Sequence, residues 1–454
     1  MKLGVVILAA GQGTRMKSSL PKVLHKLAEK PLLGHVIDTA RTIGVDRIAV
    51  VYGHGGEQVP AAFQAADLLW VEQAKQLGTG HAVEQALPAM DGMDRVLILY
   101  GDVPLIRSET LAALLEAGKA SPLVLLTATL ADPVGYGRIV RDENSTIRCI
   151  VEQKDAGAEV LALREINTGI MLVDGSRLKS WIARLENDNA QGEFYLTDIV
   201  AMAVAEGAEV RSAQPRDVCE VQGVNDKVQL AELERHLQRS RAEVLMRQGV
   251  TLRDPARFDL RGTLMVGRDV ELDINVLFAG DVVLGDNVRV GANTVIRDSR
   301  IGSGVQIFEN CVIDSAVIGD CAQIGPFARL RPAAKLAANV HVGNFVEIKK
   351  SQVDEGSKIN HLSYIGDCTI GRSVNVGAGT ITCNYDGANK YPTVIEDNAF
   401  IGSDTQLVAP VTVGAGATVG AGSTITKDVP ADSLALSRTR QIGRSGWKRP
   451  EKQR

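Results

Sequence analysis

Short unbroken apolar runs alternate with segments of helical periodicity through the first half of the chain. LGVVILAAG, RIAVVYGHG, RVLILYGD and LVLLTATL are the runs, and each is followed by a turn or polar segment. Continuous hydrophobicity, without polar alternation, is what a parallel strand covered on both faces requires. Between them, LLGHVIDTARTIG and SETLAALLEAGKA carry apolar residues at helical spacing. This alternation predicts an α/β fold: a doubly wound, Rossmann-like sheet. KVQLAELERHLQRSRAEVLMRQG, from Lys227 to Gly249, has helical spacing, strong helix formers and no internal proline or glycine. It predicts one long helix acting as a semi-rigid connector.

Beyond about residue 251 the period changes. A β-branched residue or leucine precedes glycine at Val266-Gly267, Leu284-Gly285, Val290-Gly291 and Ile301-Gly302, and so on to Val419-Gly420, mostly at multiples of six. This is the hexapeptide repeat of a parallel β-helix. One aliphatic residue in six enters the core, a small residue takes the turn beside it, and coils must stack to bury anything. The expected domains are residues 1–226, a linker helix over 227–250, and a repeat domain over 251–454. The register slips over NFVEIKKSQVDEGSKINHLSY and again over AGTITCNYDGANKYPTVIEDNAF. The second must contain an excursion, and insertions in repeat arrays usually carry function.

Composition narrows the class. A chain of 454 residues with 45% hydrophobic and 23% charged residues is expected to be soluble and to form two or three domains. Only 4% aromatic content beside 45 glycines suits a repeat. A net charge of −4 argues against a general nucleic-acid binder. No apolar run has the length of a membrane span, and the N-terminal run passes straight into GQGTR, as a strand would. Six cysteines without a CxxC pair read as reduced thiols, so a cytoplasmic location is expected.

The first glycine turn lacks the third glycine of the dinucleotide fingerprint and the GK[ST] of a P-loop. Its small residues still let backbone N–H groups approach an anion, and Arg15 and Lys22 add charge. QLGTGHA (Gln76 to Ala82) suits the reading of a base edge. Asp102, in YGDVPL, ends a strand, where open α/β sheets bind ligands. Asn225, in VQGVND, stands just before the long helix.

These motifs, with PKVL, GYGRI and INTGI in the same order, resemble the sugar nucleotidyltransferase family. RLRP, HVGNFVEIKK, NHLSYIGD, GAGTITCNYDG and IGSDTQLVAPV resemble hexapeptide acyltransferases. The fusion is similar to the bacterial family that joins N-acetylglucosamine-1-phosphate uridylyltransferase to glucosamine-1-phosphate acetyltransferase. The resemblance covers all but the basic tail after about Gly443. It implies UDP-N-acetylglucosamine synthesis for cell-wall and lipopolysaccharide precursors, from glucosamine-1-phosphate, acetyl-CoA and UTP. By resemblance Leu8, Ala9, Ala10 and Gly11 line the nucleotide, while Arg15 and Lys22 neutralise its phosphates during catalysis. Gln73, Gly78 and Thr79 contact the uracil, with Tyr100 and Gly101 beside the nucleotide. Gly137, Glu152 and Asn167 grip the sugar, and Asp102 and Asn225 hold Mg²⁺. In the repeat domain His361 is implied as the general base, with Glu347 a candidate to orient it. Arg331 and Lys349 bind the sugar phosphate, and Tyr364 and Asn375 complete that site. Ala378, Asn384, Tyr385, Ser403, Ala421 and Arg438 contact acetyl-CoA. The family's β-helix is left-handed and forms homotrimers that share the acetyl site between chains. Two rivals remain at this level: a single-activity nucleotidyltransferase with a β-helix used only for assembly, and a non-catalytic sugar-nucleotide sensor. His361, the NYDG loop and the Arg331/Lys349 pair count against the first. Asp102, Asn225, Arg15 and Lys22 count against the second.

Overall fold

β1 (Leu3–Leu8) is buried along its whole length, with Val5 and Ile7 in one apolar layer and Val6 and Leu8 in the other. It pairs in parallel with β2 (Arg47–Tyr52), which pairs with β3 (Leu68–Glu72), and on its other side with β4 (Arg95–Tyr100). Beyond β4 the sheet takes in β5 (Leu123–Thr129), the hairpin β6 (Arg138–Arg141) and β7 (Ile147–Val151), then β8 (Glu165–Asp174) and β9 (Val210–Ala213). The order is β9-β5-β8-β4-β1-β2-β3, with the β6–β7 hairpin attached to β8. α1 (Leu32–Thr42), α2 (Thr79–Ala86) and α3 (Ser108–Ala117) supply crossovers. The computed structural model describes the chain except for residues 54, 55, 64, 451, 453 and 454. The last two residues of RIAVVYGHG, His54 and Gly55, lie outside the described residues.

The sheet is mixed where the apolar runs suggested parallel strands alone. β8 is antiparallel to both β4 and β5. Its opening, INTGI, places Asn167, Thr168 and Gly169 within the strand, where they interrupt the apolar run. The strand crosses them with a register shift between Asn167 and Met171, the irregularity by which a sheet re-aims a side chain.

The helix Lys227–Arg247 forms as expected, but its two halves belong to different cores. Leu233 is buried with Met16, Leu27, Leu32 and Val224, and Leu230 and Leu237 pack against them. Ala242 and Leu245 join the aliphatic core of the repeats. Gln238 exchanges both its amide hydrogen bonds with the Leu260 backbone, at 3.0 and 2.7 Å. The chain accordingly divides into compact units 1–237 and 238–454.

The second unit is a coil of short parallel strands on three faces. One ladder runs through Leu272, Val290, Ile307, Ile324, Val342, Ile359, Val376, Ile401 and Val419, all buried. The other two faces share a second sheet. The repeat glycines are there for close approach: a Cβ on Gly377 would lie 2.5 Å from the Ser403 backbone nitrogen in the next coil. The corner itself is turned by neighbouring residues at positive φ, such as Asn293 at 61°. Across the first register slip the coil is unbroken. Ile348, Val353 and Ile359 stay buried in their ladders, and only the glycine after each is replaced, by Lys349, Asp354 and Asn360. The second slip does hold an excursion. Residues 384–392 leave the coil between the strands Ile381–Cys383 and Thr393–Ile395, and a Tyr385–Lys390 bridge closes the loop.

Candidate active sites

In the first unit the carboxyl ends of β1 and β4 open onto a cavity of about 310 Å³. Leu8, Ala9, Ala10 and Gly11 line it, with Lys22, Gln73, Gly78, Thr79, Tyr100 and Asp102. The glycine turn has a local cause. Gly13 sits at φ 61°, and a Cβ there would come within 2.6 Å of the Lys22 Cβ. The missing side chain is what lets the lysine stem cross the turn. Lys22 Nζ pairs with Asp102 Oδ2 and donates to Asn225 Oδ1 at 3.2 Å. Two hard oxygens therefore converge on a single cation. That donor set fits a divalent ion that keeps waters and substrate phosphates as its other ligands. Gln73, buried, donates to the Gly78 carbonyl at 3.1 Å and meets His81 at 3.0 Å, so the loop that opens the helix Thr79–Ala86 is held from beneath. Gly101 is buried under the cavity, its N–H donating to the Leu8 carbonyl at 2.9 Å.

Gly137, Glu152 and Asn167 form an adjoining cluster. Asn167 N–H donates to the Gly137 carbonyl at 2.9 Å, and a Cβ on Gly137 would lie 3.3 Å from both Glu152 oxygens. Burial raises the Glu152 carboxyl above its usual range, a 3.2 Å hydrogen bond from Thr197 opposes this, and Asp155 and Asp198 add to it. Tyr100 joins the two groups. Part of its surface stays open, yet burial pushes its phenol up, and the Glu152 and Asp102 carboxylates push it further. Arg15 is not brought to the cavity; it stands exposed on the turn Thr14–Met16. Four lining residues lie outside the expected set: the apolar Val23 and Ala82, and the polar Gln76 and Glu193. Gln76 donates to the Ala10 carbonyl, and Glu193 comes from a loop with no motif of its own.

In the repeat unit His361 is exposed at the end of the strand Lys358–His361. Its Nδ1 lies 2.8 Å from Asn344 Oδ1, an acceptor that favours the tautomer with hydrogen on Nδ1 and the lone pair on Nε2. Glu347 does not orient it. That carboxylate accepts from Arg331 at 2.8 Å instead. Asn344 lies one coil, 17 residues, before His361, a neighbour visible in sequence only once the coil length is known. His341, also unanticipated, is held below the ordinary imidazole range by burial, Lys358 and His361.

Lys349 lies against Lys390 of the inserted loop. That contact, with the charges of Lys390 and Arg331, holds the Lys349 ammonium below its ordinary range. Three cations gathered on one face call for a polyanion. The Tyr364 hydroxyl and the Asn384 amide approach Gly366 on the same face, and Asn384 donates to Asp367 at 2.6 Å. Asn375 is not with them. It sits in the ladder Lys358–Asn375–Phe400, around the corner on another face. Tyr385 is exposed on the inserted loop.

The remaining expected contacts fall in line. The N–H groups of Leu362, Gly379, Asp404 and Gly422 donate to the carbonyls of Asn344, His361, Ala378 and Ser403. His361, Ala378, Ser403 and Ala421 thus occupy successive rungs of one edge, and Arg438 closes the line by donating to the Ala421 carbonyl at 2.9 Å.

Comparison with known proteins bears on both sites. Residues 5–164 match the MobA-like NTP transferase domain, residues 260–344 the GMPPB C-terminal domain, and residues 392–427 the bacterial transferase hexapeptide (six repeats). The "Bifunctional protein GlmU" of Azoarcus sp. (strain BH72) is 59% identical over 450 residues, which is 99% of this chain and 100% of that one. The chain belongs to the GlmU family. GlmU proteins of Ralstonia pickettii (strain 12J) and Stutzerimonas stutzeri (strain A1501) are 58% and 59% identical, covering 100% of this chain and 99% and 100% of theirs. The match to GlmU proteins runs end to end and so includes the repeat domain. A nucleotidyltransferase with a repeat kept only for assembly is therefore not favoured. A divalent metal goes with the nucleotidyltransferase half of the GlmU family.

Proposed function

We propose that the chain makes UDP-N-acetylglucosamine by two transfers, with the residues above in the following roles. In the repeat domain His361 Nε2 takes a proton from the ammonium of glucosamine-1-phosphate, with Asn344 holding the ring. The free amine attacks the thioester carbonyl of acetyl-CoA, the C–S bond breaks, and the CoA thiol leaves. Arg331, Lys349 and Lys390 bind the sugar phosphate. The observation that carries this reading is the edge His361–Ala378–Ser403–Ala421. An elongated thioester laid along that line of small residues has its reacting end at the base, while Asn384, Tyr385 and Arg438 hold its flanks.

In the first unit the phosphate oxygen of N-acetylglucosamine-1-phosphate attacks the α-phosphorus of UTP, and pyrophosphate leaves. A phosphate is already nucleophilic, so positioning and charge neutralisation supply most of the acceleration. Gln73, Gly78 and Thr79 seat the base, Gly137, Glu152 and Asn167 seat the sugar, and Lys22, the cation that lines the cavity, neutralises phosphate charge. Asp102 and Asn225 would hold Mg²⁺, which when bound neutralises the phosphates of UTP. The enzyme works in the cytoplasm, where its nucleotide and thioester substrates are found.

The repeat domain acts as a homotrimer. Phe327, Phe345 and Leu362 follow one another up a single corner at φ 56°, 56° and 50°, 49%, 55% and 62% exposed. Asn275, Asn293 and Asn310 hold that corner in the lower coils. Bulky side chains at positive φ cost roughly 1–2 kcal/mol each, and burial against a second copy offsets the strain. Asn375 and the Arg331 cluster lie on different faces of one chain, so a neighbouring copy would also complete the sugar site. The test is thiol release from acetyl-CoA with glucosamine-1-phosphate, and separately pyrophosphate release from UTP with N-acetylglucosamine-1-phosphate. Absence of the first activity in a protein that performs the second would overturn the bifunctional reading.

A further inference from the structure

Outside both active sites, three metal-ligating side chains of different types meet beside the long helix. Asp217 caps the short turn Val218–Val221, its Oδ1 accepting from the Cys219 N–H at 2.9 Å. Its Oδ2 lies 3.3 Å from His236 Nε2 on the helix Lys227–Arg247. The carboxylate oxygen, the Cys219 sulfur and the His236 nitrogen all fall within 4.8 Å of one another, and all three residues are half-buried.

We propose that Asp217, Cys219 and His236 form a binding site for a borderline-soft divalent cation of the zinc class. Tetrahedral zinc, with sulfur at about 2.3 Å and nitrogen or oxygen at about 2.0–2.2 Å, holds its ligands roughly 3.3–3.8 Å apart. The donor atoms here, all within 4.8 Å of one another, stand at most about 1.5 Å wider than that spacing. Oxygen, nitrogen and sulfur donors in one cluster suit zinc better than magnesium or calcium, which take oxygen. A simple ion pair between helix and turn would need only Asp217 and His236; Cys219 adds the soft third ligand. Its open side leaves the fourth position to water. On binding, the thiol gives up its proton to solvent and the thiolate ligates. The ligands bracket residues 222–226, the loop that carries Asn225. An ion held here therefore ties the helix to the turn on either side of an uridylyl-transfer residue.

The test uses the full-length protein titrated with Co²⁺, a spectroscopic stand-in for Zn²⁺, in magnesium-free buffer. One equivalent per chain should produce a thiolate-to-cobalt charge-transfer band with the visible bands of tetrahedral cobalt, and Zn²⁺ should bleach them. Cys219→Ser should abolish the charge-transfer band. His236→Ala should weaken Co²⁺ binding by about 100-fold or more, since losing even an outer partner costs ~10–100-fold. Cys321→Ser, which changes an exposed thiol elsewhere, should leave the spectrum unchanged. Circular dichroism checks that each variant is folded, and Asp217→Asn, which preserves the cap, provides a second ligand variant that should also weaken binding. Absence of the band in wild type, its survival in Cys219→Ser, or equal affinity in folded His236→Ala and wild type would each overturn the site.

Discussion

His361, the base in the proposed acetyl transfer, is held through its ring by the contact with Asn344. His361→Ala should lower acetyl transfer by ~10²–10⁴-fold, the usual contribution of a placed general base, and leave uridylyl transfer unchanged. Asn344→Ala should be milder. It removes one hydrogen bond to the ring, worth about 0.5–1.5 kcal/mol, so kcat should fall roughly threefold to tenfold with little change in KM. Thiol release at saturating substrates measures both, and a His361→Ala loss of under threefold would make that residue a bystander. In the first unit Glu152 sets a pH dependence. Burial raises its carboxyl, so the folded state binds a proton more tightly than the unfolded chain. Stability should then fall as pH rises from the unfolded carboxyl value through the raised folded one, and level off above it. Glu152→Gln should flatten that limb and melt higher than wild type near neutrality, while binding the sugar nucleotide more weakly. Melting both proteins from acid to neutral pH decides it; parallel curves would refute the expectation.

Among the elements, the inserted loop and the corner column are the informative ones. Lys390 reaches Lys349 and the Arg331 charge only because residues 384–392 leave the coil. A charge-assisted hydrogen bond is worth about 1.5–3 kcal/mol, so Lys390→Ala should raise the KM for glucosamine-1-phosphate by roughly tenfold to a hundredfold. Equal KM values would remove the loop from the site. At the corner, asparagine tolerates the positive φ that phenylalanine resists. Phe345→Asn should therefore relax the coil locally while removing apolar surface from the contact between copies. Sedimentation should show weakened trimers and a parallel loss of acetyl transfer; an intact, active trimer would place the interface elsewhere.

Over the whole molecule, the long helix decides where the chain can be divided. A fragment ending at 226 loses Leu230, Leu233 and Leu237 and uncovers Met16, Leu27 and Leu32. Burying a leucine side chain is worth about 1.5–3 kcal/mol. Residues 1–237 should keep uridylyl transfer and melt well above residues 1–226. Identical melting would mean that the first half of the helix contributes nothing to that core.

The long-range order of this protein was largely legible in its residues, because each signal there is periodic. Continuous apolar runs specify strands buried on both faces, and an aliphatic residue every sixth position leaves no other way to build a core. Most of the first unit's cavity lining was legible too, since Leu8 to Gly11, Tyr100 and Asp102 stand at strand ends and a glycine turn. Tertiary structure decided what depends on phase and on neighbours distant in the chain. β8 is antiparallel to β4 and β5, which its apolar run does not disclose, because strand direction depends on partners distant in the chain. Asn344 replaced Glu347 as the partner of His361 because coil length, not sequence distance, sets which side chains meet. The first register slip cost only glycines, since aliphatic phase alone keeps a coil in register. Asp217, Cys219 and His236 carry no motif, because their proximity arises only when the long helix folds back beside the turn that precedes it.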